Sequence, residues 1–477
     1  MPSDAARAGP APAPDHSTAL EILARRVHEV RYDDLPADAV RRAKDLILDT
    51  LGCAYGGLSS DVAAAVGRMA ADSGGTPQAT LIGTGGKTSA ALATLVNGSL
   101  LRYLDGNDYY FARDPAHPSG NLAAALAVGE REGRSGKELL AALVAAYEVQ
   151  LRLCDCAGAP SLWKRGWHHG TNAAFSAAAL AARLGGASPL QTAHAMAIAG
   201  SHQNTLAQLQ SGAISMIKAT AEAWVAKAGV EAALLARHGM TGPLQLMEGA
   251  AGWGSVVAGE VDLPALTAPV ADRCRLLDVS IKPYPVVATA LAPVRAAIEL
   301  HRAGLPAPGD IETIVVKLPA FALGTPSAHA GRRYPAGVES AQHSFYYCTA
   351  VALLDGACGA AQFTPQRLAA ASLRDLLAKV ELAEDPEFTA RWPQAAGGAV
   401  ELRLRDGSTR AHRCPYPPGH PRLPLDDAEL NAKFDDHAVP VLTRAGADAL
   451  STAVRQLEDC PDLRQLAGLL AIPAQPG

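Results

Sequence analysis

Four stretches of this chain gather titratable and polar side chains inside otherwise apolar text, and their types are those that move protons or hold carboxylates. The first, Asn97-Gly98-Ser99-Leu100-Leu101-Arg102-Tyr103-Leu104-Asp105-Gly106-Asn107-Asp108, runs off the end of an apolar helix, and His117-Pro118-Ser119-Gly120-Asn121 follows. Pro118 and Gly120 shape that loop, and a histidine on a shaped loop can be aimed at a ligand. Asn107 and Asp108 equally suit ordinary helix-end capping. The second stretch, Arg165-Gly166-Trp167-His168-His169-Gly170-Thr171, stands directly before an Ala-rich helix. An imidazole near a helix N-terminus has its cationic form disfavoured, which keeps it neutral and able to accept a proton. For His169 a capping or surface role is preferred. The third, Ser211-Gly212-Ala213-Ile214-Ser215-Met216-Ile217-Lys218, opens a long helix that also carries Lys227. A lysine at a helix start opposes the macrodipole, so Lys218 is misplaced unless an anion sits beside it; a solvated surface lysine is the alternative. In the fourth, Ser280-Ile281-Lys282-Pro283-Tyr284-Pro285, prolines hold Lys282 in extended chain, while Gln342-His343-Ser344-Phe345-Tyr346-Tyr347 enters an apolar helix. There one tyrosine hydroxyl can face a pocket, or both rings can pack.

The elements that must position these groups are mostly helices. In 38–51, Val40, Ala43, Leu46, Ile47 and Leu51 share one stripe, and Gly56-Gly57 supplies the stop. Similar runs cover 88–104, 136–153, 171–184, 189–199 and 218–238, bounded by Gly, Pro, Ser or Asn. After about residue 278 the texture changes. Residues 311–318 alternate and are β-branched, as a strand requires, and 399–404 followed by Asp406-Gly407 and 408–413 reads as a hairpin. Helical runs at 286–301 and 344–354 lie between the strands, and the text is helical again from about 425. The expected fold class is therefore mainly α: a large all-helical domain over 18–277 and 419–470, an inserted smaller α+β lid domain over 278–418, and a flexible N-terminal tail over 1–17.

Composition narrows the function. Apolar residues make up 49% of the 477, which excludes wholesale disorder, and the 5% of aromatics beside abundant alanine favours closely packed helices. A net charge of −5 leaves no electrostatic footprint for nucleic acid or an anionic membrane, so an acidic ligand must be held locally. Eight cysteines without a CxxC pair fit a reducing cytoplasm, and Cys154 and Cys156 read as structural. No apolar stretch is long enough to span a bilayer, and the N-terminus lacks a signal core. Three cofactor motifs fail. In Gly83-Thr84-Gly85-Gly86-Lys87-Thr88 the first glycine of a phosphate loop falls on Leu81; His28-Glu29 lacks its second zinc histidine, that position being Tyr32; and the cysteine spacing offers no iron–sulfur set.

The ordered set Asn97-Gly98, Leu104-Asp105, His117-Pro118-Ser119, Gly166-Trp167-His168, Lys218, Lys282-Pro283-Tyr284-Pro285 and His343-Ser344-Phe345-Tyr346-Tyr347, with Gly419-His420-Pro421 and Lys433-Phe434, resembles the MmgE/PrpD family over nearly the whole chain. That family contains 2-methylcitrate dehydratase, cis-aconitate decarboxylase and epimerases of iminodisuccinate. The resemblance implies a homodimer acting on a small polycarboxylate at a site in the cleft between the domains, with no cofactor and no metal, while cysteine usage and charge lead to the expectation of a cytoplasmic protein with no nucleic-acid and no membrane partner. It carries functional roles onto Asp105, His117, His168, Lys218, Lys282 and Tyr347. The loops 104–108 and 117–121 look more like the dehydratase branch. Two positions depart from the family pattern: Tyr109 stands where decarboxylases have threonine, and the run Val286-Val287-Ala288-Thr289-Ala290-Leu291 replaces a histidine common downstream of the lysine.

Removing water from a β-hydroxy acid takes a proton beside a carboxylate and protonates a poor leaving group. Lys218 and Lys282 would neutralise the substrate carboxylates and the developing anion. His117 and His168 would move protons, with Tyr347 as a second acid and Asp105 orienting one of them. The expected activity is thus dehydration of a 2-methylcitrate-like acid. Decarboxylation and epimerisation pass through a similar carbanion and stand as alternatives, and a helical dimer that has lost its chemistry is the alternative of another class.

Overall fold

The computed structural model describes residues 17–158, 161–211, 214–269 and 273–473. The tail expected over 1–17 lies, but for Ser17, outside the described residues.

The chain is mainly helical, and the long helices begin where their caps predict. Ser135 accepts from the Glu138 amide while Glu138 reaches back, opening Gly136–Cys156; Ser188 with Gln191 and Asp426 with Glu429 do the same for Pro189–His202 and Asp427–Arg455. Each such box satisfies amides that a helix start otherwise leaves unpaired. The predicted runs appear as Ala37–Gly57, Ala90–Tyr103, Gly136–Cys156, Gly170–Leu184, Pro189–His202 and Ile217–Arg237. Small residues let these helices approach closely. A Cβ on Gly98 would come within 2.9 Å of the Ala223 Cβ, so Ala90–Tyr103 and Ile217–Arg237 touch at that point. One turn further along, Arg102 meets Glu222.

The residues of this helical body share one apolar core, drawn from 19–281 and again from 430–470. A second core is drawn from 286–404, joined by Tyr109. It is built around a four-stranded sheet in the order Val380–Glu384, Ile311–Leu318, Gly398–Leu404, Thr409–Cys414. The first pair is parallel (Val316 opposite Leu382) and the others antiparallel (Val316 opposite Val400). Ile314, Val316 and Leu318 alternate onto the face covered by Leu291–Arg302 and Phe345–Asp355. Two expectations needed adjustment. Residues 286–287 lie outside the helix: the Val286 amide donates to the Tyr284 carbonyl at 2.9 Å in a tight turn, a 3-10 turn follows at Ala288–Ala290, and the α-helix starts only at Leu291. The strand Val380–Glu384 went unforeseen, being five residues long and stabilised by its pairing rather than by a β-rich sequence.

The glycine run 83–86 forms the turn that pairs Ala79–Thr80 with Lys87–Thr88, as the failed phosphate-loop spacing implied. All eight cysteines are free, Cys154 and Cys156 among them, both buried. Among the described residues no helix is long and apolar enough to cross a membrane.

Candidate active site

Asp105 is the centre of the site, and the way the helix Ala90–Tyr103 ends puts it there. Just past the helix, Asp105 takes a left-handed conformation with φ 52°, which aspartate tolerates better than other side chains and which turns its carboxylate back into the protein. Lys218 lies 3.0 Å from Oδ1 and Lys282 3.1 Å from Oδ2, while His343 Nε2 is 3.5 Å from Oδ2 and Arg102 3.6 Å from Oδ1. The anion that Lys218 needs at its helix start is therefore Asp105. Lys282 also donates to the Asp105 carbonyl at 2.9 Å.

Three further contacts deliver Lys282 to this point. Tyr109 and Ser280 exchange a pair of backbone hydrogen bonds at 2.9 Å, and the Ile281 amide donates to the Gly419 carbonyl at 3.1 Å. Gly419 has φ +83°, and a Cβ there would lie 1.7 Å from the Ile281 carbonyl oxygen, so only glycine fits. Lys433, from the C-terminal helix, donates to the Lys282 carbonyl at 2.6 Å, to the Gly106 carbonyl, and to Asp49 at 2.5 Å, tying both loops together.

A second cluster lies beside the first. Arg102 donates from Nε to Glu222 at 2.5 Å and from Nη1 to Asn107; the other Glu222 oxygen stands 3.0 Å from His169 Nε2. The His169 ring lies 5.0 Å from that of His117 and 3.8 Å from that of His168. His117 donates from Nδ1 to the Asp108 carbonyl at 2.6 Å, which leaves Nε2 as its acceptor when neutral. His343 likewise donates from Nδ1 to the Glu339 carbonyl at 2.9 Å. His168 accepts at Nδ1 from the Gly170 amide at 3.0 Å, and its other nitrogen meets the Gln210 side-chain amide at 2.8 Å.

Burial and charge set the protonation states. Burial alone would raise Asp105, but Lys218, Lys282, His343 and Arg102 outweigh it and hold the carboxyl well below the usual carboxylate range. Glu222 is held down in the same way by Arg102 and His169. Burial lowers Lys282 to about 8, against the pull of Asp105, and lowers Lys218 as well. His117 and His168 are pushed well below the ordinary histidine value by burial first and neighbouring cations second, and His343 falls to about 3. Asp108 is raised to about 6 by burial, although Ser119 and Tyr147 hydrogen-bond its carboxylate. The result is a set of neutral imidazoles beside fixed cations.

A cavity of about 710 Å³ opens onto this arrangement. Asp105, His117, His169, Lys282, His343 and Arg332 form its polar end, and Arg113 and Lys164 add positive charge to its wall. Lys218 lies behind Asp105, only 4% exposed.

Of the six predicted residues, Asp105, His117, Lys218 and Lys282 meet around one cavity end. His168 is packed behind His169, with both ring nitrogens engaged, and the neighbour assigned to capping is the one on the cavity wall. Tyr347 requires a correction as an acid candidate: its hydroxyl donates to the Gln362 carbonyl at 2.6 Å and its ring packs on Phe363 in the second core, outside the cavity lining. Glu222 and Arg102 were missed. The signal for Glu222 was its place four residues after Lys218, on the same helix face, in an Ala-rich helix. His168, His169 and Glu222 also bring ligand atoms within 4.8 Å of one another, a spacing a metal could use, yet both Glu222 oxygens are engaged and the Arg102 guanidinium beside them repels a cation.

The profile of the MmgE/PrpD N-terminal domain matches residues 21–265 and that of the MmgE/PrpD C-terminal domain residues 284–459. Among similar proteins is the cis-aconitate decarboxylase of Homo sapiens, 30% identical over 96% of this chain and 95% of its own length. The cis-aconitate decarboxylase of Aspergillus terreus is 25% identical over 93% of this chain and 94% of its own length. The mitochondrial 2-methylcitrate dehydratase of Yarrowia lipolytica is 25% identical over 85% of this chain and 81% of its own. Two domain profiles in order, and relatives matched nearly end to end, place the chain in the MmgE/PrpD family.

Proposed function

We propose that the protein is a lyase of small di- or tricarboxylic acids, working through a carbanion stabilised beside a carboxylate. The observation that carries this reading is the convergence of the Lys218 and Lys282 cations on Asp105 at the end of a cavity. Fixed cations in a water-poor site stabilise an anion where it forms, without the cost of reorganising solvent. Arg113 and Lys164 on the cavity wall would favour entry of an acid.

Within that class we put dehydration of a 2-methylcitrate-like hydroxy acid first. It needs a base, and His117, with Nε2 unprotonated, is one. His169, oriented by Glu222 and Arg102, is a second proton carrier, and Lys282, charged below about pH 8, is an acid for the leaving hydroxyl. Decarboxylation needs no base, since loss of carbon dioxide itself generates the carbanion. It is the second reading, supported by the names of the relatives that align over most of this chain. The part of the chain carrying the second core would close over the substrate as a lid, and the site would work in a homodimer.

The test is to incubate the protein with 2-methylcitrate, citrate and cis-aconitate and to follow alkene formation and carbon dioxide release separately. Alkene without carbon dioxide supports the first reading and carbon dioxide from cis-aconitate the second. No turnover of any of the three, by protein whose fold is intact, would refute the assignment.

A further inference from the structure

The charged end occupies only part of the cavity. Even at the ~30 Å³ that a water takes in the liquid, the twelve or so non-hydrogen atoms of a six-carbon tricarboxylate fill roughly 360 Å³, about half of the 710 Å³ present. Arg113 and Lys164 stand on one part of the remaining wall, and another part is apolar. Phe321 stacks on Trp392 with centroids 4.1 Å apart and planes 12° from parallel; Phe111 meets Trp392 at 4.9 Å and Tyr109 at 5.0 Å, and all four rings line the cavity. The ladder joins the loop after Asp105 to the part of the chain with the second core. Polar names on this wall are misleading. The Tyr109 hydroxyl and the Thr289 hydroxyl are both shut away from solvent, so what these residues offer the cavity is carbon and backbone. Val287 lines the same space.

Tyr109 and Val287 both give this wall apolar surface. An empty space lined by carbon gains most from a ligand that fills it with carbon.

We propose that this wall is a specificity subsite for a hydrocarbon substituent, so that the preferred substrate is a di- or tricarboxylic acid bearing an apolar side group of three or more carbons. The proposal deepens the lyase reading and rests on it. A carboxylate would sit against Lys282, and the side group against Tyr109, Phe111, Val287, Phe321 and Trp392.

The experiment measures kcat/KM for citrate, 2-methylcitrate, 2-propylcitrate, 2-hexylcitrate and 2-benzylcitrate, with the matching substituted aconitates if cis-aconitate is the acid turned over. The expected result is a rise of about fourfold per added methylene until the wall is covered. The benzyl compound shows whether the ladder prefers a planar group to a chain. Phe321→Ala alters a side chain that is 41% exposed and so spares the fold; it should flatten the dependence on chain length while leaving citrate or cis-aconitate unchanged. Val287→His should shift preference toward the unsubstituted acids. Turnover of the small acids with no gain, or a loss, from the longer ones overturns the subsite and leaves the lyase reading standing. Absence of turnover with every acid overturns both.

Discussion

Replacing Asp105 with asparagine removes the charge that its neighbours share while keeping the side chain's size, and the effect can be worked from the geometry. Lys282 Nζ is 3.1 Å from Oδ2. At an effective dielectric near 20, unit charges at that distance interact by about 5 kcal/mol, or roughly 4 pK units. Lys282 stands at about 8 with the carboxylate in place. Even half the full interaction, lost, takes it below neutrality, so Asp105→Asn should carry an uncharged Lys282 at pH 7 where the parent carries an ammonium. Calorimetric titration with tricarballylate, an unreactive tricarboxylate, in buffers of different ionisation heat reads this directly. The parent should bind at pH 7 with little proton uptake at this lysine, and the variant should take up about one proton as the amine recharges against the ligand. In a turnover assay the alkaline limb of kcat/KM should move from near pH 8 to below 7. A variant that binds without added proton uptake and keeps its limb near 8 would show that Asp105 does not hold the lysine charged.

Glu222→Gln leaves the buried Arg102 guanidinium without its anion, and should cost about 3–5 kcal/mol in urea unfolding; a loss under 1 kcal/mol would mean that Asn107 and Asp105 already satisfy the arginine. Tyr347→Phe removes only a bond to the Gln362 carbonyl, so it should lower stability by about 1 kcal/mol and leave kcat within about twofold, whereas a large fall in kcat would return the tyrosine to the site. Gly98→Val would press a side chain onto Ala223, costing about 1–3 kcal/mol and separating Arg102 from Glu222, visible as a fall in both the unfolding midpoint and turnover. Stability should also fall on the acid side, because His117, His168 and His343, held neutral by burial, gain protons in the unfolded state alone as pH drops below about 6.5. Asp108 and Asp114, raised to about 6 by burial, bind protons in the folded state before the unfolded one and offset part of that loss between about pH 6 and 4. Asp105 and Glu222, held low, stabilise fully above their unfolded values and lose that contribution only as pH falls further. The three histidines outweigh the two aspartates, so the urea midpoint should be lower at pH 5 than at pH 7.5, and the reverse order would contradict these assignments.

The helices were legible because each carries its own evidence, an apolar stripe of period 3.6 bounded by caps. Lys218 was legible for an electrostatic reason: a cation at a helix start demands an anion. Which anion was not legible, since Asp105 lies 113 positions away in a loop whose turn depends on one left-handed residue. The tandem His168-His169 shows the same limit. Both rings stand at the helix start, and only the packing of Ile217–Arg237, with Glu222 on its inner face, decides that His169 faces the cavity. Tyr347 was carried over by position in a motif, and the local chain turns its hydroxyl toward Gln362 instead. The strand Val380–Glu384 exists by its parallel pairing with Ile311–Leu318, a partner distant in sequence.

The central claim is that Lys282, held at the cavity end by Asp105, receives a carboxylate of a substrate. A crystal structure of the protein grown with tricarballylate tests it most directly. The account predicts a carboxylate within hydrogen-bonding distance of the Lys282 ammonium, with His117 facing the carbon skeleton; a ligand seated elsewhere in the cavity, with Lys282 untouched, would contradict it.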